Sequence, residues 1–155
     1  MKNHGFIRTA AAVPVIKVAD VAHNVEQICR LAGEAADKEA SLVVFPELSL
    51  TGATCGDLFG NSLLIKAAEE GVKQIAEFSR GKDITIVVGA PVKYANCLYN
   101  TSVIINNGIV KGIVPKVFVT PAENKWFTSG GNAPSEVIPY AGDLRTMSPD
   151  MLFSI

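Results

Sequence analysis

The stretch Leu42-Val43-Val44-Phe45-Pro46-Glu47-Leu48-Ser49-Leu50-Thr51-Gly52 decides how the chain folds around it. A continuous apolar run delivers one carboxylate, Glu47, to the point where Pro46, lacking a backbone N–H, ends regular ladder pairing. Leu48 to Gly52 then turn away. Glu47 is therefore a candidate working group at a strand end. By pattern alone the more ordinary reading, a solvated loop carboxylate, stands ahead of the catalytic one.

Upstream, Phe6 to Val15 is rich in Ala and Val and carries Pro14 near its end, the signature of a buried first strand that leaves the sheet at Pro14. Asp20 offers a helix cap. From Val21 on, Val25, Ile28, Cys29, Ala32, Ala35 and Ala36 recur at helical spacing, with Glu26, Arg30, Glu34, Lys38 and Glu39 on the opposite side. Ser41 to Phe45 is the second strand. Downstream, Asn61 to Ser79 returns to helical period and Gly81 closes it. Asp83 to Pro91 is apolar on both sides, which suits a strand at a sheet centre or covered on both faces. The first half thus reads β-α-β-α-β.

The second half changes style. Leu98 to Ile105 and Ile109 to Val114 flank Asn106-Asn107-Gly108, and Asn-Gly accepts the positive φ values of a tight hairpin turn. Pro115-Lys116 ends the hairpin. Val117 to Pro134 is irregular, with Trp126-Phe127 inside it, and such a loop borders a site or an interface. Val137 to Tyr140 and Met151 to Ile155 read as strands. No linker, repeat or low-complexity tract divides the chain.

At 155 residues and 48% hydrophobic, the sequence fits one globular domain with a substantial core. A formal net charge of -1 with scattered Lys and Arg gives no basic stripe for nucleic acid or anionic lipid, so a small-molecule partner is expected. No apolar run is long enough to span a bilayer, and Met1-Lys2-Asn3-His4-Gly5 lacks a signal-peptide core. The odd set Cys29, Cys55 and Cys97 has no close pair, which points to a reducing cytoplasm. His4 and His23 sit apart from one another and from every cysteine, which is no metal-site spacing and leaves both as surface residues.

Glu47 and Lys116, both at strand ends, are the ionisable groups best placed to converge. A carboxylate beside a lysine is equally a plain ion pair. Through Phe45-Pro46-Glu47-Leu48-Ser49-Leu50-Thr51-Gly52 and Gly112-Ile113-Val114-Pro115-Lys116, however, the chain resembles the carbon-nitrogen hydrolases of the nitrilase superfamily. Within it, Ala10-Ala11-Ala12-Val13-Pro14-Val15, Val18-Ala19-Asp20 and above all Thr54-Cys55-Gly56-Asp57-Leu58-Phe59 resemble the N-terminal glutaminase domain of glutamine-dependent NAD synthetases. The resemblance runs from the first strand to Phe127 and more weakly to the end.

That resemblance implies an α/β fold, the nitrilase-like α-β-β-α sandwich, usually paired with a second copy. It implies a Cys-Glu-Lys set that hydrolyses the glutamine side-chain amide through a thioester. Glu47 would be the general base and Lys116 the fixed positive charge facing the oxyanion. The freed ammonia would serve NAD synthesis in a second domain, and ATP and Mg are expected only there, with no cofactor in this one.

The sequence departs from the family in three places. The family's nucleophile is a cysteine in a Cys-Glu-Asp turn beyond the lysine and a further strand, and none of Cys29, Cys55 or Cys97 is followed by Glu-Asp. Cys55 follows Glu47 closely but belongs to the turn. Residues 1–155 are accordingly expected to be a partial hydrolase domain, incomplete at its C-terminus, without the synthetase domain and inactive alone. Ala53 stands where the family branch carries a tyrosine that lines the glutamine pocket, so substrate contact there is weakened. The loop Val117-Phe118-Val119-Thr120-Pro121-Ala122-Glu123-Asn124-Lys125 is shorter than the family's, with Glu123 standing in for its second glutamate and Lys125 for its arginine. Two alternatives stay open: a fragment of another amidase of the superfamily, and a non-catalytic remnant that pairs with a complete subunit. A half sandwich would expose a sheet edge and part of a face, so association is expected if the chain is made alone.

Overall fold

The computed structural model describes residues 5–133 and 135–154; His4 and Ile155 lie outside the described residues. The elements run β1 (Thr9–Ala11), α1 (Val21–Asp37), β2 (Leu42–Val44), α2 (Ser62–Ser79), β3 (Thr85–Tyr94), β4 (Cys97–Asn106), β5 (Ile109–Pro115), β6 (Glu136–Tyr140) and β7 (Asp143–Met147). The strands form one seven-stranded sheet in the order β1-β2-β3-β4-β5-β7-β6. β1, β2 and β3 are parallel, and β4 runs antiparallel to both β3 and β5.

Both early crossovers step the same way across the sheet, and right-handed crossovers then put both helices on one face. The register agrees. Val43 aligns with Ile86, both fully buried, whereas its neighbour Val44 is 40% exposed on the other side. On the helix-covered face Ile86, Val88, Ala90 and Val92 of β3 meet Ile105, Val103, Thr101 and Tyr99 of β4, all 5% exposed or less. The opposite face carries Val44 together with Val137 and Leu144, 60% and 64% exposed. The described residues are thus one helix layer packed on one face of a seven-stranded sheet, the layering of a nitrilase-like α/β fold.

The helices form for the reasons legible in their sequences. Asp20 caps α1 by accepting from the His23 N–H at 3.1 Å, and Asn61 caps α2 by accepting from the Leu63 N–H at 2.9 Å. Val25, Ile28, Ala32 and Ala35 line the buried stripe of α1. The Asn107-Gly108 hairpin forms with both φ values positive, +46° and +80°. Pro91 survives inside β3 because β2 has ended by that level, so the missing N–H faces a gap in the ladder.

Three expectations need correction. β1 is a short edge strand, not a buried one, and Phe6, Ile7, Val13 and Val15 around it are all more than half exposed. β3 extends to Tyr94 and returns directly as β4 through Ala95-Asn96, both at positive φ, a second hairpin whose turn lacks the glycine signal. Met151 to Ser154 is not a strand; the last strand is β7, which folds back from β6 through Ala141-Gly142 and meets β5 at Ile113. The residues after it lie against β5, because a Cβ on Gly112 would come within 2.5 Å of the Met151 side chain.

Candidate active site

Glu47 reaches its position because the chain crosses directly over β3. A Cβ on Gly89 would stand 2.3 Å from the Leu48 nitrogen and 2.6 Å from the Pro46 oxygen, so only glycine lets the turn lie on the sheet. The turn is pinned by Leu50 N–H to Gly89 O at 3.2 Å and closed by Gly52 N–H to Leu48 O at 2.7 Å. Leu48, next to the carboxylate, sits at φ +51°, a left-handed conformation that costs a non-glycine residue about 1 kcal/mol. Buried at 2% exposure, Leu48 anchors that turn, so the local strain is held by core packing.

Alternation along β3 and β4 places Gly89 and Asn100 on the face away from the helices, where Lys116 arrives from the end of β5. The Lys116 N–H donates to Asn100 O at 2.8 Å, which fixes the start of the following loop. Lys116 Nζ lies 2.8 Å from Glu47 Oε1 and 2.8 Å from Glu123 Oε1. Three charged side chains from sequence positions 47, 116 and 123 therefore meet, with one ammonium between two carboxylates.

The two carboxylates are not equivalent. Glu123 Oε2 accepts from the Thr120 N–H at 2.9 Å and the Thr120 hydroxyl at 2.8 Å, and Lys116 also approaches it at 3.1 Å. Hydrogen bonds from Lys116 first and then from the Thr120 backbone hold the Glu123 carboxyl down at about 2, so it is ionised and its oxygens are saturated. Lys116 is raised above the usual lysine range by its bonds to Glu123 and then Glu47, and so is a firm cation. Glu47 accepts Lys116 and the Asn100 side-chain amide on Oε1 alone, and its side chain remains 48% exposed. Of the two, Glu47 has an oxygen free for chemistry.

The loop bearing Glu123 is held from outside by the Thr54-Cys55-Gly56-Asp57-Leu58-Phe59 motif. Asp57 accepts from Lys125 Nζ at 2.7 Å and Trp126 Nε1 at 3.3 Å, and those bonds lower its carboxyl. Phe59 packs edge-on against Phe127 with ring centroids 4.8 Å apart, both rings 4% exposed or less. Lys125 thus serves the latch and stays out of the charged trio. Ala53 is exposed in the turn before the motif.

The cysteines stay out of the trio's hydrogen bonds. Cys55 is buried and its thiol donates to Thr51 O at 3.1 Å; burial raises it. Cys29 is pushed up to about 11 by burial, which keeps it a packing thiol. His23 is half-buried and its Nε2 lies 3.1 Å from Val15 O, more a strut for the first loop than a free surface group. Among the described residues no group of three His, Cys, Asp or Glu side chains is arranged to hold a metal, and no helix is long and apolar enough to cross a membrane.

Residues 8–139 match the carbon-nitrogen hydrolase family model. The chain belongs to the carbon-nitrogen hydrolase family. The chain is 34% identical over 98% of its length to a glutamine-dependent NAD(+) synthetase of Mycobacterium leprae, of which it covers 23%. A solved glutamine-dependent NAD(+) synthetase from Cytophaga hutchinsonii superposes with a TM-score of 0.88 at 29% identity, over 96% of this chain and 26% of that one. An amidase from Nesterenkonia sp. shares the fold at 22% identity, with a TM-score of 0.70 over 92% of this chain and 54% of its own. The chain thus spans about a quarter of these two synthetases.

Asn100, Thr120 and Gly89 were not singled out from the sequence. A lone glycine inside an apolar strand is a sign of close backbone approach, and Gly89 carries that sign. Asn100 and Thr120 have no comparable local signature, because their partners come from other elements.

Proposed function

We propose that this chain is the Glu- and Lys-bearing part of a glutaminase domain that releases ammonia for a glutamine-dependent NAD synthetase. The observation that carries the reading is Lys116 Nζ at 2.8 Å from both Glu47 and Glu123 on the open face of the sheet. The synthetase relatives, matched along nearly the whole chain, support the branch over a free-standing amidase.

In this reading a cysteine outside these residues gives its thiol proton to Glu47, and the thiolate attacks the glutamine side-chain carbonyl carbon. Lys116 stabilises the oxyanion. Collapse breaks the C–N bond as Glu47 returns the proton to the departing ammonia and leaves a thioester. Glu47 then takes a proton from water, which adds to the thioester carbon and releases glutamate and thiol. Glu123, locked as an anion, keeps Lys116 charged and aimed.

Residues 1–155 act as a partial domain, with the synthetase region elsewhere; ATP and Mg belong to that region. The protein works in the cytoplasm, and the open face bearing Val44, Val137 and Leu144 supports association with further chain or a second copy. The test is ammonia release from glutamine by the purified 155-residue chain. No release above buffer is expected, and turnover abolished by Glu47→Gln would overturn the partial-domain assignment.

A further inference from the structure

We propose that Asn100 is the positioning residue of the Glu47 carboxylate, holding Oε1 so that Oε2 is the oxygen that exchanges protons with the reacting groups. The proposal rests on the reading of Glu47 as general base. Asn100 is 3% exposed in the middle of β4, a costly place for an amide unless its hydrogen bonds are made. Its Nδ2 donates to Glu47 Oε1 and lies 3.4 Å from Glu123 Oε1. Facing two carboxylates, only the NH2 end can point inward, so the acceptors themselves fix the amide orientation.

The charge arithmetic explains why an amide occupies this place. Glu47 and Glu123 carry two negative charges against the single positive charge of Lys116. A second lysine would hold both Glu47 oxygens in competing geometries, and a carboxylate would add repulsion. Asparagine supplies donors without charge, from a rigid strand, to the oxygen that Lys116 already holds at 2.8 Å. With two donors converging on Oε1, the carboxylate plane is set and Oε2 is presented outward. The strand also ties the two halves of the site together, since the carbonyl of Asn100 accepts the Lys116 N–H at 2.8 Å.

The test is the exchange rate and resonance position of the Asn100 side-chain amide protons in the 15N-labelled 155-residue chain. Slow exchange is expected, becoming roughly tenfold faster or more in Glu47→Ala, the factor that a bond to a charged acceptor supplies. In Glu123→Gln the amide should move little, because that contact is the longer one. A purely structural asparagine would not respond to Glu47. Exchange and resonance position unchanged in Glu47→Ala, with the backbone spectrum otherwise retained, would overturn the proposal. Glu47 is half-exposed, so these variants do not depend on the fold tolerating a change at Asn100 itself. No glutamine enters the measurement, so a negative result leaves the amidase reading standing, and that reading fails on different data.

Discussion

The two faces of the sheet are built to different rules. On the helix-covered face, Val43, Ile86, Val88 and Ile105 are fully buried, and along β3 every second residue from Ile86 to Val92 is apolar. On the other face the apolar side chains thin out, Val44 and Leu144 are exposed, and glycine, asparagine and charge appear in their place at Gly89, Asn100, Lys116 and the crossing turn of Glu47. One face is there to hold the chain together. The other spends part of its packing potential on a charged trio and on the clearance a backbone needs to cross a strand.

That difference predicts unequal costs. Ile86→Ala removes a fully buried side chain and should lower stability by about 2–5 kcal/mol, whereas Val44→Ala, at 40% exposure, should cost under about 1 kcal/mol. Denaturant unfolding of the 155-residue chain checks this, and equal costs would mean that the open face is packed after all. Gly89→Ala belongs between them. Its Cβ would collide with Pro46 and Leu48 backbone, so about 1–3 kcal/mol should be lost. Lys116 should lose its contact with Glu47 in the same variant, and the Lys116–Glu47 cross-peak in a nuclear Overhauser spectrum reads both outcomes.

The helix-covered face was legible in the sequence because burial imposes a period that residues carry locally. The Asp20 cap and the Asn107-Gly108 turn stand out as well, each from a side chain or a glycine that acts on its own neighbours. The Ala95-Asn96 turn did not, since alanine at positive φ is imposed by the strands it joins. β7 was missed because Asp143, Arg145 and Thr146 are polar at a sheet margin, while the apolar Met151 to Phe153 attracted the strand assignment and instead lies against Gly112. In the site, Glu47 and Lys116 were visible as charges at strand ends. Asn100 and Thr120 were not, because what they do depends on a carboxylate that arrives from a distant segment.

A smaller effect separates the two carboxylates. Glu123 is held at about 2 in the fold against an ordinary value of 4.5, so it stabilises the fold above the ordinary value and loses that contribution as pH falls toward 2. The thermal midpoint should therefore drop across that window in the unsubstituted chain and drop less in Glu123→Gln. Identical pH profiles would show that the Lys116–Thr120 cradle does not act on Glu123. The smallest expected effect is at the latch. Asp57 is exposed, so Asp57→Asn should leave the thermal midpoint where it is while amide exchange quickens across residues 123–128. Unchanged exchange there would assign the loop's position to the Phe59–Phe127 contact alone.

The central proposal is that Glu47 and Lys116 supply the base and the oxyanion-facing cation of an amide hydrolase that a cysteine nucleophile completes. The coding sequence of the source locus beyond the codon for Ile155 tests it most directly. The account predicts an apolar strand ending in Cys-Glu-Asp soon after, directly or across a frameshift, and an ATP-binding region beyond it. A stop codon with no such segment nearby would contradict it and leave Glu47, Lys116 and Glu123 as a structural ion cluster.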